Sequence, residues 1–218
     1  MSPPSSFLFE QFFPWLVSLV ALFSIIIWLR SKTNRTLFVN HDKGRRLMAV
    51  LGSGGHTTEM LKLLAAQDDL FPERLYVIAK SDNLSIAKVE EFERTHGNKF
   101  CVRIVPRARE VGQNLLSSLG STVVAFFHSF QLVYQERADV VISNGPAIGL
   151  GICLFACLFN FLRLYRCHVV FVESICRVQK LSLTGWLIYY FRISHAFIVQ
   201  WKNLQKKYPR SEYMGRLV

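Results

Sequence analysis

Six short apolar runs, the first five each followed by a turn and then by residues at helical spacing, constrain this chain more than any other feature. They are Leu47–Leu51, Leu75–Ala79, Phe100–Val105, Asp139–Ser143, His168–Val172 and Ala196–Val199. Runs that are apolar at nearly every position need cover on both faces, which is the situation of strands in a parallel sheet flanked by helices. Between them the spacing predicts helices over 57–66, 84–96, 115–134, from Ala147 onward and over 184–191. The expected fold class is α/β, a doubly wound parallel sheet. In that class ligands bind beyond the carboxyl ends of the strands.

Ahead of this pattern, Phe12–Leu29 carries no charge and is long enough to span a bilayer. A cleaved signal peptide would need a basic segment before it, and no Lys or Arg precedes Arg30. Residues 1–29 therefore read as an N-terminal tail and a single transmembrane anchor. Arg30, Lys32, Arg35, Lys43, Arg45 and Arg46 follow it, so 30–46 is a basic linker, and the positive flank puts the domain over 47–218 on the cytosolic side. About 175 residues remain for folding, enough for one ordinary domain.

The chain holds 26 Lys and Arg against 15 Asp and Glu, a net charge of +11, which favours anionic neighbours. With an anchor present, lipid headgroups and phosphorylated ligands are expected in preference to nucleic acid. Cys101, Cys153, Cys157, Cys167 and Cys176 lack the paired short spacings of a zinc site and read as buried thiols in a reducing compartment. No metal or cofactor is expected. Val123–Phe130 and Ile148–Leu164 are more apolar than one buried helix face requires. The second is long enough to cross a membrane, but the strands on either side of it must share one sheet. A helix packed on the sheet, with its outer face toward lipid, is the preferred reading.

The sharpest motif is Gly52-Ser53-Gly54-Gly55-His56-Thr57-Thr58-Glu59, placed where the first strand turns into the first helix. Glycines there let backbone amides approach a phosphate at the positive end of the helix. It is not a P-loop, and Thr57 stands where the dinucleotide fingerprint has its third glycine. At a helix N-terminus the dipole favours a neutral imidazole, so His56 is a candidate base or hydrogen-bond donor; a mere cap is the alternative. Arg107 and Arg109, after the third strand, are phosphate candidates through their bidentate forks, unless Glu110 pairs with one of them. Asn144, in the turn Ser143-Asn144-Gly145-Pro146, is a candidate to meet a sugar hydroxyl; a plain turn is the alternative. Glu173, at the end of the fifth strand, is a candidate base, or else it neutralises Arg177.

Taken in order, LGSGGHTTEMLKLL, PRAREVGQ, VISNGP, FVESICRV and FIVQWKNLQKKYPRSEYMGRLV resemble, over nearly all of the chain after the anchor, one known family. It is the family of asparagine-linked glycosylation protein fourteen, the membrane-anchoring subunit of a bipartite UDP-N-acetylglucosamine transferase. That family is similar in turn to the N-terminal half of the bacterial transferase that glycosylates lipid-linked muramyl-pentapeptide. The resemblance implies a Rossmann-like GT-B half that holds the acceptor, dolichyl-diphosphate-GlcNAc, while a soluble catalytic subunit binds UDP-GlcNAc. It implies addition of the second GlcNAc, in β-1,4 linkage, at the cytosolic face of the endoplasmic reticulum membrane. By position, Gly54, Gly55, His56 and Thr57 would form the acceptor loop, Arg107 and Arg109 would hold the diphosphate, and Asn144 and Glu173 would face the sugar. A single Rossmann-like unit that stops at Val218 fits half of such an enzyme. Tyr213, Leu217 and Val218 are the expected docking edge for the partner, a reading preferred over completion of the chain's own sheet.

Two other classes stay open at this point. A membrane-bound nucleotide-dependent oxidoreductase is disfavoured by the missing third glycine and by Lys80 and Ser81 standing before Asp82 at the end of the second strand. A pure recruiting scaffold would leave the loop residues dispensable.

Overall fold

The computed structural model describes residues 45–65, 67, 70–80, 82–106 and 115–218, with side chains from 122 onward in the last stretch. The anchor expected over 1–29, nearly all of the basic linker, and Arg107 and Arg109 lie outside the described residues.

Each of the six apolar runs forms a strand: β1 (Arg46–Val50), β2 (Glu73–Ala79), β3 (Lys99–Val105), β4 (Val140–Ser143), β5 (His168–Val172) and β6 (Ala196–Val199). The helices between them are α1 (Gly55–Ala65), α2 (Asn83–His96), α3 (Leu115–Glu136), α4 (Ala147–Phe161) and α5 (Leu183–Tyr190). Strand β1 takes up the last residue of the expected linker. Its Arg46 N–H donates to Asp139 Oδ2 at 2.9 Å, and the Arg46 guanidinium pairs with Glu136 at 2.7 Å.

With a short last strand β7 (Glu212–Tyr213), the sheet order is β3-β2-β1-β4-β5-β6-β7, and every pairing is parallel. The chain starts in the middle, builds outward to β3, and returns through α3 to lay β4 beside β1. That reversal is the switch point, where the loops leaving β1 and β4 diverge and open a crevice. Leu47 and Ala49 of β1 and Leu51 just after it pack with Met60, Leu61 and Leu64 of α1, beside Tyr76, Ile78 and Val89. A fully buried pair, Arg74 Nη1 to Glu93 Oε1 at 3.2 Å, ties α2 to β2, and Tyr76 donates its hydroxyl to the same oxygen.

The stretch 148–164 is a helix on the sheet. Helix α4 has 15 residues, about 23 Å of rise, short of the ~30 Å hydrocarbon core. Ile152, Cys153 and Ala156 are wholly buried. Among the described residues no helix is long and apolar enough to cross a membrane.

Two elements escaped the sequence reading, α6 (Lys202–Lys207) and β7 (Glu212–Tyr213). Strand β7 pairs with β6 as Ile198↔Glu212 and Val199↔Tyr213. Glu212 and Tyr213 therefore extend the chain's own sheet, the alternative reading for Tyr213, while Leu217 and Val218 lie beyond the strand. Beyond β7, the Leu217 N–H donates to Gln200 Oε1 at 3.0 Å, and the Arg216 guanidinium lies 4.6 Å from the centre of the Trp201 ring. The cysteines also differ from expectation: Cys153, Cys157 and Cys167 are buried, but Cys176 is exposed and Cys101 is partly so. Burial pushes the Cys157 and Cys167 thiols up to about 12, so neither is a thiolate at neutral pH.

Candidate functional site

The loop between β1 and α1 turns on Gly54, whose φ of 69° suits glycine, and α1 begins at Gly55. This puts His56 in the first turn of α1, at the switch point. A methyl group built on Gly52 would stand 3.0 Å from His56 Cβ and 3.3 Å from its Cδ2; one on Gly145 would stand 3.4 Å from Cε1. The imidazole therefore bridges the loop after β1 and the loop after β4, with backbone on both sides where side chains would crowd it. Gly145 also holds a φ of 119°, closed to most other residues.

Asn144 locks this junction by donating from Nδ2 to the His56 carbonyl at 2.7 Å. It is 1% exposed, so its place is fixed from beneath rather than from the ligand side. Its Oδ1 and the Nδ1 of His56 are both buried without a hydrogen-bond partner among the described residues. Two such atoms at one junction mark where a water or a ligand atom belongs.

Thr57 faces inward. It is wholly buried, and its hydroxyl contacts the Gly52 carbonyl and, at 2.6 Å, Ser85 Oγ, which lies 2.6 Å from Asp82 Oδ2. The two hydroxyl protons are shared along this chain, which braces the glycine loop against the start of α2. Thr57 thus supports the loop instead of reaching a ligand. Asp82 is occupied as well: its Oδ1 accepts the Ser85 N–H at 3.1 Å as the N-cap of α2. A dinucleotide enzyme would need such an acid free for a ribose hydroxyl.

Glu173 also lies deeper than the sugar-facing position expected of it. It is wholly buried, and its Oε2 accepts from Ser182 twice, from N–H at 3.1 Å and from Oγ at 3.2 Å. Ser182 in turn caps α5 by accepting the Gly185 N–H at 3.0 Å. Burial pushes the Glu173 carboxyl above the usual carboxylate range, against the hydrogen bonds from Ser182. Its Oε1 has no partner among the described residues, but reaching a ligand would require the loop above it to move. In this arrangement Glu173 anchors the β5–α5 loop.

Glu59 closes the glycine motif, and the sequence assigns it no role. It sits one turn along α1 from His56 and accepts the Ser174 hydroxyl at 2.9 Å, tying α1 to the loop after β5. The i, i+3 spacing from His56 was the available signal, but it does not by itself name a partner 115 residues away. Among the described residues no group of three or more His, Cys, Asp or Glu is placed to hold a metal ion.

These loops all fall within residues 47–217, which match the family model described as "Oligosaccharide biosynthesis protein Alg14 like". The chain belongs to the Alg14 family. A Homo sapiens member named "UDP-N-acetylglucosamine transferase subunit ALG14" is 38% identical over 208 residues, spanning 91% of this chain and 94% of that protein. The Mus musculus member of the same name is 42% identical over 182 residues, 79% and 83% of the two chains. A Candida albicans member is 36% identical over 205 residues, 94% and 93%. The Alg14 fold is also similar to two solved structures. One is Acinetobacter baumannii MurG, with a TM-score of 0.51 at 14% identity, covering 73% of this chain and 42% of MurG. The other is Arabidopsis thaliana UGT89C1 complexed with UDP-L-rhamnose, with a TM-score of 0.53 at 10% identity, covering 81% and 53%. This Alg14-family chain thus spans about half or less of those structures, and at such identities the likeness is one of fold alone.

Proposed function

We propose that this chain is the membrane-anchored, acceptor-side subunit of a UDP-N-acetylglucosamine transferase. In this reading it adds the second GlcNAc, in β-1,4 linkage, to dolichyl-diphosphate-GlcNAc in N-glycan precursor synthesis, on the cytosolic face of the endoplasmic reticulum. A soluble partner brings the UDP-GlcNAc site, and the N-terminal anchor, with the domain it carries, recruits that partner to the membrane.

The observation that carries the reading is the His56 imidazole, held between Gly52 and Gly145 at the switch point with Nδ1 unpartnered. A base in that crevice can take the proton of an acceptor hydroxyl as the sugar is transferred. His56 is the base assigned here. The start of α1 at Gly55, with Gly54 just before it, favours a phosphate, and Arg107 and Arg109 follow β3 in sequence. The name shared by the relatives, a transferase subunit, supports a partner. Apposition to lipid is supported by the outer face of α3, where Val123, Val124 and Phe127 are exposed.

The test is co-expression with and without a candidate soluble partner, assaying GlcNAc transfer to a short polyprenyl-diphosphate-GlcNAc. Transfer is expected only with both chains present. Replacing His56 by Ala should lower turnover about a hundredfold or more while membrane insertion and partner binding persist. Full transfer by this chain alone, or by the His56→Ala complex, would overturn the reading.

A further inference from the structure

The loop after β5 bends over the carboxyl edge and carries two cations that the site described above leaves unused. Ser174, 4% exposed, gives its hydroxyl proton to Glu59 and accepts the Cys176 N–H at 3.3 Å, while the Arg177 N–H donates to the Ser174 carbonyl at 2.9 Å. The turn 174–177 is thereby pinned to α1, the helix that bears His56. On this fixed turn Arg177 is exposed, and Lys180 is exposed three residues on.

Among the described residues neither cation is in ion-pair contact with an acid. Glu173, the nearest acid in sequence, turns inward to Ser182 and feels the Arg177 charge only as the last of the influences on its carboxyl. From Ser174 to Ser211 the sequence holds seven Lys and Arg and no Asp or Glu. A guanidinium held on a rigid turn at the ligand edge, its fork engaged by no carboxylate among the described residues, is matched to a phosphate, whose oxygens the fork can engage in pairs.

We propose that Arg177, seconded by Lys180, is a diphosphate-binding site, and that the Glu59–Ser174 hydrogen bond sets its position relative to His56. The choice of ligand rests on the transferase reading above, in which either the lipid-linked acceptor or the nucleotide sugar supplies a diphosphate.

Binding is measured on the full-length chain in detergent, alone and with the soluble partner, by titration calorimetry with geranyl diphosphate and with UDP. Arg177→Gln should weaken one of these probes about tenfold, the scale of one charge-assisted hydrogen bond. Ser174→Ala should weaken it about threefold through the loosened turn. Lys206→Gln, an equally exposed cation on α6, should leave it unchanged, and circular dichroism should show all three folded. Loss confined to geranyl diphosphate assigns the site to the lipid acceptor, and loss confined to UDP assigns it to the donor. Affinity of Arg177→Gln equal to wild type for both probes, or no binding of either probe by the wild type, would overturn the site. Arg177-dependent binding by a complex that transfers no sugar would instead keep the site and remove the transferase reading.

Discussion

Asn144 donates to the carbonyl oxygen of His56 at 2.7 Å, across 88 residues of chain, and this bond closes the junction between the β1 and β4 loops. Asn144→Ala would strand a carbonyl in a buried setting, so it should cost about 1–3 kcal/mol in denaturant unfolding. Because the same bond seats the His56 backbone, turnover of the complex should fall with it. Unchanged stability and turnover together would show that the bond contributes nothing to the junction.

Gly145→Ala should act on the ring instead. The new methyl would touch His56 Cε1 at 3.4 Å, an ordinary contact, but the φ of 119° would strain the turn, and a shift of the turn would carry the imidazole with it. Turnover should drop at least tenfold with acceptor affinity little changed, because proton transfer depends on the position of the base more than binding does. A kinetic split in the opposite sense, affinity lost and turnover kept, would place the ring outside the reaction.

Beneath the β5–α5 loop, a methyl on Gly185 would fall 2.1 Å from Glu173 Oε2. Gly185→Ala alone should therefore destabilise the domain by about 1–3 kcal/mol, and adding Glu173→Ala should recover part of that loss. Strictly additive losses in the double mutant would mean that the two groups do not compete for the same space.

The opposite edge of the sheet carries a pH response. His168 and His195 stack with ring centres 4.8 Å apart, and burial, with His195 and then Arg45 adding to it, lowers His168 to about 4. The unfolded chain, with His168 near its ordinary value, binds the proton first as pH falls from about 6.5. Stability from this residue is thus complete above that pH and is lost progressively toward pH 4. Chemical melts of the full-length chain in detergent at pH 7 and pH 5 should show a smaller difference for His168→Asn than for wild type. An equal difference would assign the response to other groups.

At the C-terminus the structure separates two roles that the sequence left merged. Removing the chain from Tyr213 would break β7, so a loss of partner binding there would be ambiguous. Removing only Leu217 and Val218 keeps the β6–β7 pairing and gives up one hydrogen bond, worth about 1 kcal/mol. If these residues form the docking edge, pull-down of the soluble subunit should fail while the melting midpoint barely moves. Full binding by the shortened chain would place the interface elsewhere.

The amino-acid pattern alone determined the parallel α/β class, six of the strands, five helices, and the placement of the GSGGH and SNGP loops at strand ends. These follow from periodicity, which reports how each local segment must be covered. Strand order was not legible, because the reversal through α3 that seats β4 beside β1 depends on which helix faces pack best, and no local pattern carries that. The meeting of His56 with Gly145, the inward turn of Thr57 and Glu173, and the hydrogen bond of Glu59 to Ser174 all depend on that order. Strand β7 was hidden for a related reason. Two residues are too few for alternation to show, and they become a strand only because β6 presents an unpaired edge to them.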